Sequence, residues 1–548
     1  MTQASQGAPN QTSAPHRSWA EPVAFAACIL LNLVPLWLLA SLPTQDGPSH
    51  QSMAFLMRAY DQPAGRIFHD YFVRTPGVSP NALIFVAMAD LLRFVSTTTA
   101  EKLVLSAYVV LLPVSYRYAL RSVAPSGTRL SFLVFPFIYS WPLNMGFLNF
   151  CLSLGAFFFA LGFWWRHEEQ WRARDGVILG ILSLAAYLCH VVSFVMLLGI
   201  VAFVIVTQRL WSRNTESTRQ TRAGPLWSFV PGLLLVIAFA IRQTDMPMST
   251  MPLKTKVRTL VMLDSLVSLD PYSVLWAAIL AATIAASAAV LLVRRLRARG
   301  PYGHDSALLA VVAALVAYAV APAETSGGAF LVERLCLYVF LLAGLWVATC
   351  PLSGRTRTAL AIIFVMASLG QLQMFLPRWR ILDGALLEAA RAGDQINAGS
   401  TVLCLVYSGH GTGPDGQEMA FRVRPFLHVC GTMAATKPVV DLLSYEANSR
   451  LFPMMFRPDR NPYDVIGSQS DLERQIPRTT FLTYSARTGG RIDYVLLWQF
   501  DQAPRHHPDV DAVVAQLAEA YTPVYVSPHR FVQLYARRLA DPARTELR

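Results

Sequence analysis

Residues 23–42, VAFAACILLNLVPLWLLASL, carry no charged side chain. At about 1.5 Å per residue they are long enough to cross the roughly 30 Å apolar core of a bilayer. Asp46-Gly47-Pro48 follows almost at once and opens a long polar loop that continues with Ser49 and His50. A carboxylate at this water–lipid boundary has two readings. It is a general base held at a membrane surface, or it is a solvated turn residue, since Asp-Gly-Pro is good turn chemistry. Before the span, residues 1–18 (MTQASQGAPNQTSAPHRS) are rich in Ser, Gln and Pro and predict a disordered cytoplasmic tail. They are too polar for a secretory signal, so the first span reads as an uncleaved anchor.

Working outward, the same apolar character recurs. The chain has 548 residues, 54% hydrophobic and only 15% charged, against about 25% charged in soluble proteins. This balance predicts a polytopic α-helical membrane protein of about 11 spans. The candidate spans are 20–42, 103–122, 130–143, 147–165, 176–189, 190–208, 227–243, 272–293, 305–322, 331–350 and 357–376. Arginines fall in alternate short loops: Arg117, Arg121 and Arg129; Arg166, Arg172 and Arg174; Arg209, Arg213, Arg219 and Arg222; Arg294, Arg295, Arg297 and Arg299; Arg355 and Arg357. The positive-inside rule puts them all in the cytoplasm. The formal charge of +12 is therefore topological, and no basic, aromatic-bearing soluble face suggests nucleic acid as a partner.

That orientation constrains residues 81–95 (NALIFVAMADLLRFV). Were they a span, every arginine-rich loop would move outside. Asp90 and Arg93 also suit a helix lying along the outer interface, with Leu83, Val86, Ala87 and Phe94 toward lipid. The loop 43–102 is then external, and so is everything after residue 376. The transmembrane domain covers 19–376, a connecting amphipathic helix 377–400, with Leu382, Leu386, Ala389 and Ala390 on one face, and an external α/β domain 401–548. In that last domain 401–407, 494–499, 524–527 and 531–536 read as strands and 510–521 as a helix. The stretch 444–467 (SYEANSRLFPMMFRPDRNPYDVIG) reads as a structured loop packed on the membrane domain.

Cys28, Cys151, Cys189, Cys336 and Cys350 lie in or near spans, where a small apolar residue is the plain reading. An external location permits a disulfide between Cys404 and Cys430 without requiring one. No Cys/His cluster suggests a zinc site, no internal repeat is visible, and the phosphate-binding GxxxxGK[ST] signature is absent.

Several features together resemble the C-type glycosyltransferase superfamily (GT-C). They are Asp46 just after the first span, the amphipathic 50–60 segment (HQSMAFLMRAY) with Arg58, and the interfacial 81–95 segment. To these are added YSWPLNMGFLNF at 139–150 and AAYLCH at 185–190. The resemblance covers roughly residues 20–376 and rests on layout more than on a strict motif. It implies an integral-membrane enzyme of the inner (plasma) membrane that takes a sugar from a polyprenyl-phosphate donor to an envelope glycan, lipid or protein acceptor. It also implies that Asp46 activates the acceptor hydroxyl, a weak nucleophile that a carboxylate within hydrogen-bond reach deprotonates as attack proceeds.

The chain departs from the family in two places. Many members pair two acids where this one has Asp46-Gly47, and the Trp-Trp-Asp-Tyr-Gly signature of oligosaccharyltransferases is missing. His69-Asp70 offers a second carboxylate if the loop folds back. His50 stands one turn beyond Asp46 as a ligand for phosphate or acid, or as a solvated histidine.

The donor's phosphate calls for cations near the outer surface. Arg334 sits at the start of a span, after Gly327-Gly328, where it meets a phosphate or forms an ion pair with Glu333 or Glu324. Lys254, Lys256 and Arg258 meet lipid headgroups or steer the phosphate. His190 touches substrate or is a satisfied helix-end histidine, while Asn144 and Asn149 cap or pack helices. No metal ligands are assigned. A lone Asp46 does not make a two-ligand site, so no cofactor is assured and a divalent metal stays open. The rival readings are a transporter or flippase of a lipid-linked intermediate, which would place ionisable groups at mid-membrane depth, and a noncatalytic envelope assembly protein.

Overall fold

The computed structural model describes residues 19–212, 224–242, 249–297, 305–325 and 328–538. The expected tail 1–18 lies outside them, as do Arg213, Arg219, Arg222, Arg299 and Gly327.

The chain opens with α1 (Ala20–Leu38), and the loop after it folds as α2 (Gly47–Ala59), α3 (Arg66–Tyr71), strand β1 (Phe72–Arg74) and α4 (Leu83–Leu91). Then come α5 (Thr97–Val123), a run of 3-10 turns over Pro125–Phe137, α6 (Trp141–Asn144), α7 (Leu148–His167), α8 (Ala173–Cys189) and α9 (Val191–Ser212). α10 (Val230–Arg242), α11 (Leu253–Val261), α12 (Ser273–Arg297), α13 (Asp305–Val320), α14 (Leu331–Thr349) and α15 (Gly354–Ala392) complete the helical part.

Eight described helical stretches are long and apolar enough to cross a membrane, one of them formed by α10 together with the 3-10 turns over Gly224–Phe229 that lead into it. α8, with 17 residues, and α13, with 16, are shorter. The expected span 130–143 is not an α-helix: its first part belongs to the 3-10 run, whose residues from Leu130 to Phe137 are all buried. At about 2.0 Å rise per residue such a run covers more length per residue than an α-helix does.

Burial sorts these helices into shells. Every residue of α14 from Val332 to Ala348 is buried, as a helix apolar all round should be. α1 instead turns Val23, Leu30 and Trp37 outward, the pattern of a lipid-facing helix. The start of α1 is tied to the far half of α5 by Arg117, whose Nη2 donates to Glu21 Oε2 at 2.8 Å. α4, at nine residues, is too short to span. It buries Ile84, Phe85 and Met88 and exposes Leu83, Val86 and, beyond its end, Phe94, as an interfacial helix would.

The expected last span and connecting helix form one continuous helix, α15, of 39 residues. Beyond the bilayer length it carries Asp383, whose carboxylate accepts the Ala40 and Ser41 N–H groups at 2.8 and 3.0 Å just past the end of α1. The C-terminal domain contains β2 (Ser400–Val406), α16 (Gly431–Ala434), β3 (Val439–Asp441), β4 (Met454–Phe456), α17 (Gln469–Leu472), α18 (Thr483–Thr488), β5 (Tyr494–Trp498), α19 (Pro508–Ala520), β6 (Tyr521–Val526) and β7 (Val532–Arg537). Five of these strands form a sheet in the order β3-β2-β5-β7-β6. β3, β2 and β5 are parallel, and β7 and β6 join antiparallel. Cys404, on β2, is disulfide-bonded to Cys430.

The stretch 444–467 does pack on the loop after α1. β4 pairs antiparallel with β1, with Phe72 opposite Phe456 and Arg74 opposite Met454. The loop after α1 and the C-terminal domain therefore share a sheet, which holds the domain over the residues following α1.

Candidate active site

Asp46 is the N-terminal flanking residue of α2, and Pro48 at the first turn suits a helix start. Its place is set by the turn between α6 and α7. The backbone N–H groups of Gln45 and Asp46 donate to the carbonyls of Asn144 and Met145, at 3.0 and 3.1 Å. His50 Nε2 donates to the next carbonyl, Gly146 O, at 2.7 Å. Three successive carbonyls thus hold the start of α2. Gly146 has φ +89°, and a Cβ there would lie 2.8 Å from the Cβ of Asp46, so this approach needs glycine.

Asp46 is 5% exposed. Its carboxylate is hydrogen-bonded by the Tyr445 hydroxyl and by Gln45, whose Nε2 is 3.4 Å from Oδ1. Burial pushes this carboxyl up to about 6; Glu446 adds to the rise, while His50, Tyr445 and Gln45 restrain it. A carboxylate with that value is ionised at neutral pH yet is a stronger proton acceptor than a free aspartate.

His50 is equally buried. Nδ1 is hydrogen-bonded to Glu446 in a short contact, and Nε2 faces the Gly146 carbonyl. Both partners are acceptors, so the ring satisfies both only by carrying two protons. Burial works against that charge, but the Glu446 carboxylate and Asp46 outweigh it and lift His50 to about 9. His428 is the opposite case. Burial and the Arg424 and His50 cations hold it down to about 3, so its Nε2, 3.6 Å from Asp46 Oδ1, belongs to a neutral ring and makes no ion pair. It stacks on Tyr445 with ring centres 4.5 Å apart.

On the other side of the α6–α7 turn stands Arg334, 7% exposed. Its guanidinium lies over the Phe147 ring at 4.1 Å, and Nη1 donates to His190 Nε2 at 2.6 Å. Among the described residues Arg334 has no carboxylate within ion-pair distance, and its Nε has no hydrogen-bond partner. Neither Glu333 nor Glu324 pairs with it. A buried guanidinium next to an uncharged partner and two phenyl rings is an anion-binding arrangement.

The remaining sequence candidates separate from this cluster. His69 and Asp70 are exposed on α3; His69 donates to the Tyr60 carbonyl at 2.7 Å and stacks on Tyr60. Asp70 is therefore not the second acid facing Asp46. That position is taken by Glu446, with Glu473 also in electrostatic range and raised by burial to about 7. Arg58 is half-buried on α2. Lys256 is buried, and its ammonium donates to the Ala319 and Ala321 carbonyls at 2.8 and 2.6 Å, capping the end of α13. Lys254 and Arg258 are exposed on α11, and Glu324 is exposed in the loop after α13.

Asn144 Nδ2 donates to Ser268 at 3.2 Å and its Oδ1 accepts from Trp379 Nε1, while Asn149 accepts the Ile84 N–H. Both asparagines lock helices together. Glu446, Tyr445, His428 and Arg424 were not legible as site residues. The only signal was the unusual composition of 444–467, which contains two of them. A separate cavity of about 830 Å³, lined by Arg121, Arg166, Arg172 and neighbouring residues, opens at the far ends of α5 and α7 from Asp46.

No protein-family model matches this chain, and no curated protein does. The crystal structure of ArnT from Cupriavidus metallidurans in the apo state superimposes with a TM-score of 0.54 at 12% identity, covering 94% of this chain and 98% of ArnT. The oligosaccharyltransferase of Archaeoglobus fulgidus gives 0.44 at 11% identity over 95% of this chain and 74% of that one, too low a score to carry an argument. At such identity the likeness establishes the fold. The chain is a multi-pass membrane protein with the fold of ArnT, and the likeness runs along nearly the whole of both chains.

Proposed function

We propose that this protein is a membrane glycosyltransferase that moves a sugar from a polyprenyl-phosphate donor to a cell-envelope acceptor. The observation that carries the reading is a pairing across one turn, in a chain with the ArnT fold. A buried, raised carboxylate, Asp46, lies within electrostatic range of a buried guanidinium, Arg334, that has no carboxylate at ion-pair distance among the described residues. The acceptor hydroxyl attacks the anomeric carbon of the sugar and Asp46 takes its proton. The bond from that carbon to the phosphate oxygen breaks, and the polyprenyl phosphate leaves with the electron pair, its negative charge held by Arg334. A single displacement inverts the anomeric centre. His50, already protonated and fully hydrogen-bonded, supports the acid and is not a proton donor in this scheme.

The protein sits in the inner membrane with its N-terminus in the cytoplasm and the C-terminal domain outside, following the arginine-rich loops. The reaction as written needs no resident cofactor. A divalent cation acting on the donor phosphate would show as transfer lost to a chelator and restored by metal. The deciding experiment is Asp46→Asn in a lipid-linked sugar transfer assay on purified protein. Full transfer by the folded Asp46→Asn protein removes Asp46 as the base, and transport without covalent transfer replaces the whole reading.

A further inference from the structure

The Glu446–His50 contact has an unusual place in the molecule. Glu446 is wholly buried on a 3-10 turn of the C-terminal domain, and His50 belongs to the loop after α1. They are 396 residues apart in sequence. One Glu446 oxygen binds the ring, and the other has no hydrogen-bond partner among the described residues. The ring passes the constraint on through Nε2 to Gly146 O at 2.7 Å. Gly146 backs onto Asp46, and the next residue, Phe147, carries Arg334 on its face. One side chain of the C-terminal domain is thus linked, through one imidazolium, to both the acid and the arginine.

We infer that Glu446 is a positioning residue: through a doubly donating His50 ring it fixes the 144–147 turn, and with it sets Asp46 against Arg334 only while the C-terminal domain is docked.

This deepens the transferase reading and rests on it for the role of Asp46, but the linkage to Arg334 can be read without transfer. The alternative for Glu446 is a purely structural ion pair clamping the domain to the loop. Gly431 makes such a clamp independently: a Cβ there would lie 2.3 Å from the Pro48 carbonyl oxygen, so the domain is already seated on α2 beside the pair. The β1–β4 pairing seats it a second time. Glu446 is therefore not needed merely to hold the domain in place. The charged and titratable groups facing His50 are Glu446 and His428 from the C-terminal domain, Asp46 at the start of its own helix and Glu101 from α5.

The test uses full-length protein in detergent and three readouts. The first is the titration of the His50 ring by NMR of labelled histidine, assigned by loss of the signal in His50→Gln. The second is affinity for farnesyl phosphate, a soluble polyprenyl phosphate. The third is the pH profile of sugar transfer. In wild-type protein the ring should titrate near 9. In Glu446→Gln it should titrate about 2 pH units lower, farnesyl phosphate should bind about tenfold more weakly, and the alkaline limb of transfer should move down with the ring. Glu446→Asp should recover part of each. Wild-type protein taken reversibly through pH 9 should lose farnesyl phosphate affinity in step with the ring, a check that needs no folded variant. An unmoved ring in Glu446→Gln, or affinity unchanged while the ring shifts, overturns the inference. If no lipid-linked sugar is transferred by wild-type protein but ring and affinity move together, the transferase reading fails and the positioning role stands.

Discussion

The loop that follows α1 contains two acid–histidine pairs of the same composition, Asp46 with His50 and His69 with Asp70, and the fold treats them in opposite ways. Asp46 and His50 are buried, and their neighbours come from three distant parts of the chain: the α6–α7 turn, α14 through the Arg334 field, and the C-terminal domain. His69 and Asp70 face solvent, and the one strong contact there, His69 with Tyr60, is local. Residue type does not make the difference, because both pairs offer a carboxylate and an imidazole. What differs is desolvation, which makes a carboxylate a stronger base and raises the worth of every charge placed near it.

The comparison can be broken most directly at the acids themselves. Asp46→Asn should lower sugar transfer by about 10²- to 10⁴-fold, the usual worth of a general base. Asp70→Asn should stay within about twofold, as exposed substitutions do. Equal losses in the two variants would mean that burial does not separate them.

Next in size is the arginine across the turn. Arg334→Ala should lower transfer by roughly 10- to 100-fold, the range for hydrogen bonds to a charged partner, with kcat falling because the leaving phosphate gains charge in the transition state and donor KM rising as well. Unchanged kcat and donor KM would remove Arg334 from the reaction.

A third contrast concerns pH. Transfer should climb as pH rises through about 6, where Asp46 becomes ionised. The stability signs follow from the same values. Asp46 is raised above its ordinary 3.8, so its contribution is present below that value and is lost as pH rises through about 6. At pH 7 Asp46→Asn should therefore unfold no earlier than wild type, even as its transfer falls. His50 is raised above its ordinary 6.5, so its stabilising contribution is full below 6.5 and is lost as pH passes about 9. Thermal unfolding in detergent between pH 5 and 10 reads both. An Asp46→Asn protein that melts well below wild type at pH 7 would contradict the first sign.

The smallest effect is expected at Lys256, which caps α13 from within the structure. Lys256→Met should cost on the order of 1 kcal/mol of stability and leave transfer unchanged, whereas a donor-steering lysine would change KM.

Much of the architecture was readable because it follows from local sums. A run of apolar residues of the right length becomes a membrane helix whatever surrounds it, and the arginines in alternate loops repeat the same message. The 81–95 segment was legible for the same reason: Asp90 and Arg93 deny it a span. Where length was marginal the reading slipped. Residues 130–143 are apolar enough to suggest a helix, but Pro136 and close packing leave the first half of them in 3-10 turns. The junction near residue 377 is also not a break, since α15 runs on through Pro377.

At the site, Asp46 was legible from its place after the first span and Arg334 from the cost of an arginine at that depth. Glu446 was not, because nothing local to SYEAN at 444–448 says that it will meet a histidine 396 positions earlier. The permitted Cys404–Cys430 link is of the same kind: spacing left it open, and the strand that carries Cys404 closed it.

The sequence by itself determined that this chain crosses a membrane many times, that an acid stands at the mouth of the first span, and that an α/β domain follows the last. Those are properties of hydrophobic length, charge and short-range pattern. Only the tertiary structure decided which of two acid–histidine pairs is buried and that the C-terminal domain supplies the carboxylate that His50 binds. It also decided that no acid among the described residues lies within ion-pair distance of Arg334. Each of these depends on which distant surfaces exclude water from the same place.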